Sequence, residues 1–175
     1  MSLIDELSGY RARGDAEAAD VACVAEVVRT AGNPYARTLP LHVTASALVL
    51  HPESGRVLLR WHARQRAWLQ IGGHGDPGET EPLEIVLREG REETGLTDLV
   101  PAGGLLHVAV VPVPAKGAEP AHEHGDLRYV LTTSSPEAIR PERADAPLRW
   151  LTFADAMELT TEPNVRETLT RAAAR

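Results

Sequence analysis

Strand-like and helix-like patterns alternate along this chain, which predicts an α/β fold: a mixed β-sheet covered by helices on both faces, with an extra helical segment at the N-terminus. Three observations carry that expectation. The apolar and β-branched run from Leu41 to Leu50 (LHVTASALVL) and the run from Arg56 to Trp61 read as strands joined by the turn HPESG. Residues 1 to about 31 instead show helical spacing. A glycine-rich loop from Gly72 onward then feeds a helix that starts near Pro82, a residue tolerated only in a first turn. A length of 175 residues fits one core, so residues 1–34 are expected as an extension packed on a domain of residues 35–175.

Within the N-terminal segment Asp15 is the expected N-cap, and Val21, Val24, Ala25 and Val28 form an apolar face that ends at Gly32-Asn33-Pro34. Such an amphipathic helix could serve a homodimer. Met1 to Tyr10 is acidic and lacks the apolar core of a signal peptide, and no apolar run approaches a membrane span. The one cysteine, Cys23, permits no internal disulfide, which suits the cytoplasm. Its alanine-rich surroundings offer no activating histidine, so it is expected as a small buried residue rather than a nucleophile.

After the first two strands Arg60, His62, Arg64 and Arg66 alternate, which makes one basic edge if the strand continues. Trp68 opens an apolar run and is expected as a core anchor; His74 lies inside the glycine loop, within reach of a phosphate oxygen. A strand is expected from Leu105 to Val113, ended by Pro112 and Pro114, followed by a polar loop from Ala115 to Ala121. His122, His124, Asp126 and Arg128 then recur at every second position, on one side of a strand if Gly125 keeps the pleat. That side is expected to be a ligand-facing wall. A His-x-His pair can bind zinc, but the sequence offers no clear third ligand. Leu148 to Phe153 reads as a last strand, with helices from Ala154 to Leu159 and from Asn164 to the C-terminus.

The net charge of −7 argues against a nucleic-acid surface, because duplex binding depends on neutralising phosphates. A small phosphorylated ligand remains compatible, provided that a bound metal supplies local positive charge.

The chemistry concentrates between Gly72 and Leu96. Thr80 is an acceptable N-cap, and a helical wheel from Pro82 sorts the residues into three faces. Leu83, Val86, Leu87 and Gly90 form a stripe that should pack on the sheet, with Gly90 allowing a close approach. Glu84, Arg88 and Arg91 fall in a solvent-like sector. Glu89, Glu92 and Glu93 fill the third, where like charges one turn apart cost a few tenths of a kcal/mol that a divalent cation would remove. Hard oxygen ligands without Cys or paired His point to Mg²⁺ or Mn²⁺, and magnesium takes its remaining ligands from water and substrate phosphates. A solvated pair of glutamates is the competing reading.

With the Arg-Glu step at 88 and 89, the Glu pair at 92 and 93 and the closing Thr94-Gly95-Leu96, this stretch resembles the box of the Nudix hydrolase family, whose members include MutT-like proteins and ADP-ribose pyrophosphatases. Two positions depart from the family pattern. Gly90 stands where a larger apolar residue is usual, and eight residues rather than seven separate Glu79 from Arg88. The resemblance implies an α/β/α sandwich and a Mg²⁺-dependent pyrophosphohydrolase that cleaves a nucleoside diphosphate linked to another moiety. It implies Glu89 and Glu93 as principal metal ligands, Glu92 as a ligand or general base, the Gly72 carbonyl as a further ligand, and Glu79 as the brace of Arg88. Arg60, His62, His74, His124, Asp126 and Arg128 are then the candidate substrate-binding residues. Prolines downstream of the box, here Pro112 and Pro114, occur in ADP-ribose hydrolases. Two rivals share the fold: a regulatory module without catalysis, and isopentenyl diphosphate isomerases, whose catalytic cysteine lies near the active site, unlike Cys23.

Overall fold

In the computed structural model, which describes residues 2–175, the strand β1 (Leu41–His51) is buried along most of its length. It is the axis of the sheet. At its C-terminal end β1 pairs antiparallel with β2 (Arg56–His62), and at its N-terminal half with β4 (Ile71–His74). Its other edge runs parallel to β7 (His122–Thr132) from Leu41↔Glu123 to Leu50↔Thr132. Outside these lie β3 (Ala67–Leu69) and β8 (Leu148–Leu151) on β2, and β5 (Val100–Pro101) and β6 (His107–Val113) on β7. The sheet is therefore mixed, as the patterning predicts.

Helices cover both faces. Val43, Ala45, Ala47 and Val49 of β1 face the first, together with Leu127, Tyr129 and Leu131 of β7. There they meet α1 (Leu3–Gly9), α2 (Asp15–Thr30) and α3 (Pro82–Thr94) through Leu3, Leu7, Val24, Ala25, Ile85 and Val86. On the second face Leu48 and Val130 pack with Val57, Leu59 and Trp68 against α4 (Phe153–Leu159) and α5 (Pro163–Ala173). Period-two alternation thus sends the polar residues His42, Thr44 and Ser46 of β1, and Asp126 and Arg128 of β7, toward the face that α5 covers.

Several elements differ from the sequence reading. The N-terminal helix is broken into two at Tyr10 to Gly14, and Gly14 with φ +92° takes the N-cap position expected of Asp15. The apolar face of α2 is buried on its own sheet, so it gives no argument for a dimer. Cys23 points away from that face and is exposed, which corrects the expectation that it is buried. The strand after Arg56 stops at His62, and a turn with Arg66 at φ +53° follows. Trp68 is a core residue as expected, with the Arg149 guanidinium over its ring at 4.9 Å. Gly125 leaves β7 unbroken. No described helix is long and apolar enough to cross a membrane.

A buried ion pair ties the N-terminal helices to the C-terminal one. Glu17 on α2 and Arg171 on α5 are only 5% and 2% exposed and bond each other. Glu17 also accepts from the Tyr10 hydroxyl and from the backbone N–H groups of Arg13 and Val108. Burial by itself would raise this carboxyl; the bonds from Arg171, Arg13, Tyr10 and Val108 outweigh it and hold the group at about 2. Because the folded value lies below the unfolded one, this stabilisation is complete above the ordinary carboxylate range and is lost as pH falls toward 2. Replacing Glu17 by Gln leaves the buried guanidinium with only the half-exposed Glu167 carboxylate beside it, at 2.7 Å. The expected cost is about 3–5 kcal/mol in urea unfolding at neutral pH, and a much smaller difference from wild type near pH 2.

Candidate active site

The helix α3 starts at Pro82 without a side-chain cap; Glu81 occupies the N-cap position and the Thr80 carbonyl accepts from the Tyr35 hydroxyl at 2.8 Å. Its buried face is centred on Ile85, Val86 and Gly90, with Leu83 and Leu87 only half-buried, so the stripe is rotated from the one expected. The rotation carries Glu93 into the interior, at 7% exposed. Gly90 is packed closely: a Cβ there would lie 2.7 Å from Leu99 Cδ1. Substituting the larger apolar residue would need Leu99 to move.

Arg88 is not solvated. Its Nε and Nη2 donate to the two oxygens of Glu79 at 2.9 and 3.0 Å, and its Nη1 donates to Glu89 Oε1 and Glu92 Oε2, both at 3.0 Å. The remaining reach of Nη2, 2.8 Å, is to the carbonyl of His74 on β4. One cation thus joins the loop, the helix and the sheet. Glu79 is itself fixed by a turn in which its carboxylate accepts from Asp76 N at 2.8 Å. The non-helical residues Thr80 and Glu81, ahead of the helix, absorb the extra residue between Glu79 and Arg88, so the brace forms despite the altered spacing.

Rather than remaining irregular, the glycine loop begins as strand β4. Gly72 has φ +143° and sits so close to β1 that a Cβ would meet the Ala45 carbonyl oxygen at 2.4 Å. Beside it, a Cβ on Gly73 would meet Glu89 Oε1 at 2.4 Å. Two absent side chains therefore open the sheet to the carboxylates. Glu93 uses this opening: it accepts from Gly72 N at 3.0 Å and lies 3.2 Å from Arg60 Nη1. Burial pushes the Glu93 carboxyl up to about 7, against the opposing pull of Arg60, and burial also raises Glu89. Glu92 is the exposed member of the trio.

Arg60, His62, Gln70, Gly72, Gly73 and Glu93 line one cavity with His74, His124, Asp126 and Arg128. The cavity volume is about 200 Å³. Within it, Arg60 Nε and Gln70 Oε1 are buried without a hydrogen-bond partner. The Glu93 carboxylate of α3, basic residues and imidazoles converge there.

The family profile of the NUDIX domain matches residues 40–172. The chain belongs to the Nudix family. It is accordingly a hydrolase of phosphoric anhydride bonds. Solved structures agree in fold. A NUDIX-family hydrolase from Clostridium perfringens is 23% identical, with a TM-score of 0.58 over 74% of this chain and 96% of that one. A C. elegans Ap4A hydrolase in a binary complex is 19% identical, with a TM-score of 0.62 over 75% and 95%. The E. coli dihydroneopterin triphosphate pyrophosphohydrolase is 16% identical, with a TM-score of 0.62 over 78% and 96%. Among curated proteins none matches the chain.

In this Nudix chain His124, Asp126 and Arg128 of the wall expected from alternation on β7 line the cavity and His122 does not, and the members are engaged differently. Asp126 accepts from Thr44 and Ser46 hydroxyls at 2.9 and 2.7 Å and from Arg128 Nε at 2.8 Å. Arg128 spends its other donors on α5: the Asn164 carbonyl and side chain and the Thr168 hydroxyl, all at 2.9 Å. It anchors α5 to the sheet, on the face opposite α3. Desolvation lowers His74 to about 3 and His124 to about 4, and lowers His62 as well, so these rings are neutral donors or acceptors rather than cations. Arg64 does not join Arg60 at an edge; it pairs with Glu119 at 2.7 Å. Residues that sequence reasoning missed are His42, Thr44, Ser46, Gln70, Asn164 and Thr168, each placed by strand register or helix docking rather than by a local motif.

If Glu79 braces Arg88 without touching the metal, Glu79→Gln should lower stability by about 1.5–3 kcal/mol, the value of a charge-assisted hydrogen bond, while Mn²⁺ affinity stays near wild type. Thermal unfolding and Mn²⁺ titration of the same sample check both. An affinity loss as large as that of Glu93→Gln would make Glu79 a direct ligand.

Proposed function

We propose that the chain is a Mg²⁺-dependent pyrophosphohydrolase, with Mn²⁺ able to substitute, that cleaves a nucleoside diphosphate linked to another moiety in the cytoplasm. Residues 1–34 are its extension and residues 35–175 its catalytic domain. The observation that carries this reading is the carboxylate cluster at the glycine opening: Glu93 and Glu89 are raised by burial, and both face hard-ligand chemistry with no thiolate among them. A cation favours the ionised form of both groups, so the donor set fits Mg²⁺ or Mn²⁺.

Glu89, Glu93 and the Gly72 carbonyl would hold the ion, with Glu92 beside them. When bound, such an ion supplies Lewis-acid polarisation of a phosphoryl oxygen and lowers the pKa of water. Glu92, the exposed carboxylate, accepts the proton of the attacking water and returns it to solvent. Arg88 orients that carboxylate and Glu89 through one nitrogen. Arg60 has a buried Nε with no partner, a ready donor to a phosphate oxygen. His62 accepts the Gln65 N–H on Nδ1 at 3.2 Å, which leaves Nε2 protonated as a second donor. Gln70 Oε1 is a free acceptor for a ribose hydroxyl or a base amine. His74 and His124 border the same space, while Asp126 and Arg128 keep the wall in place.

The names of two neighbours, an Ap4A hydrolase and a dihydroneopterin triphosphate pyrophosphohydrolase, support a nucleotide-like substrate. Cys23 lies outside the cavity, which removes the nucleophile an isomerase would need. Hydrolysis of nucleotide sugars, dinucleotides and triphosphates with Mg²⁺ and Mn²⁺ identifies the substrate. On that substrate Glu89→Gln and Glu93→Gln should each lose at least about two orders of magnitude in kcat. Near-normal turnover of both variants at saturating Mg²⁺ contradicts the assignment.

A further inference from the structure

Four of the seven histidines converge at one end of the cavity, from three neighbouring strands. His42 of β1 stands opposite His124 of β7 in the parallel register, and His74 of β4 stands opposite Thr44, two residues along β1. His122 precedes His124 by one pleat and stacks on His42, with ring centroids 5.2 Å apart. One ring nitrogen from each of His42, His74 and His124 lies within 4.8 Å of the others. The geometry points to a second metal centre, held by His42, His74 and His124 with His122 at its rim, that takes a borderline transition ion such as Zn²⁺.

Two features make this more than a crowd of rings. First, the tautomers are set from behind. His42 Nδ1 is 3.2 Å from the Leu39 carbonyl and His122 Nδ1 is 3.0 Å from the Pro120 carbonyl. A carbonyl only accepts, so in the neutral rings both Nδ1 atoms carry the proton and both Nε2 atoms present lone pairs. An imidazole oriented by a carbonyl on its far nitrogen is the usual support of a metal-ligating histidine. Second, those lone pairs face other ring nitrogens at ligand-edge distances. His42 Nε2 is 3.1 Å from His74 Nε2, and His122 Nε2 is 3.2 Å from His124 Nε2. Tetrahedral zinc with ordinary Zn–N bonds separates its ligand nitrogens by about 3.3 Å.

The surroundings keep the rings ready to ligate. His42 is 1% exposed and so is shielded from water, and a metal binds each ring in its neutral form. Imidazole nitrogens suit Zn²⁺, Cu²⁺ or Ni²⁺ and not Mg²⁺, so this centre and the glutamate site sort ions by ligand chemistry. Three ligands leave a coordination position free. Because His74 and His124 line the cavity, an oxygen of the substrate can fill it.

The test uses tag-free full-length protein, stripped with chelator, reloaded with Zn²⁺ or Co²⁺ alone and desalted. Metal analysis should find about one Zn²⁺ retained per chain, and Co²⁺ should give the intense visible bands of a tetrahedral nitrogen site. His74→Gln and His124→Gln should each weaken Zn²⁺ binding at least about tenfold with unchanged circular dichroism, whereas Glu93→Gln should retain the ion. Wild-type protein that keeps no stoichiometric Zn²⁺ and shows only octahedral Co²⁺ overturns the proposal without recourse to any variant. Zn²⁺ lost with Glu93→Gln but kept by both histidine variants overturns it too, and assigns the ion to the carboxylates.

Discussion

The Arg88 guanidinium is the constraint on which the active end of this molecule depends. Three glutamates on one helix face repel one another, and burial of Glu89 and Glu93 makes their charge dearer still. Arg88 offsets that repulsion from within the helix by bonding Glu89 and Glu92 through a single nitrogen. With its other two nitrogens it grips Glu79 in the loop and the His74 carbonyl in the sheet. Helix, loop and strand are thereby fixed relative to one another by one planar group with directional donors, a task for which an ammonium point charge is poorly suited.

The sheet supplies the second condition. Because β1 is central and buried on both faces, its residues alternate between an apolar layer under α3 and a polar row under α5. The carboxylates belong to a helix on the first face, and the polar row lies on the second. Glu93 and the polar row meet in one cavity because Gly72 and Gly73 leave a gap in β4 that a side chain would close. The same parallel pairing of β1 with β7 sets His42 beside His124, and this is how two chemically different donor sets come to border a single space.

Much of the fold was legible in the sequence, since it depends on local period. The long strands β1 and β7, the hairpin to β2, the start of α3 at Pro82 and the closing helices follow from alternation, helical spacing and proline position. Short strands were not legible: the glycines of β4 read as loop, because their reason for being glycine is contact with β1 and Glu89 rather than a turn. At the site, the brace of Arg88 by Glu79 was implied by the family resemblance, and it forms even with one extra residue between them. The third histidine was not. His42 lies 32 residues from His74 and 82 from His124, and only the antiparallel register with β4 and the parallel register with β7 place them together. Arg128 and Asp126 share one side of β7, as alternation predicts, but their engagement by α5, Thr44 and Ser46 depends on tertiary partners that no spacing discloses.

The central claim is that the carboxylate helix, presented through the glycine gap, binds the ion that serves hydrolysis. Anomalous diffraction at the manganese edge, from crystals holding Mn²⁺ and a non-hydrolysable nucleoside diphosphate analogue, tests it most directly. The account predicts an anomalous peak bounded by Glu89, Glu93 and the Gly72 carbonyl, in contact with a phosphate oxygen. A bound analogue with no anomalous density at those three groups would contradict it.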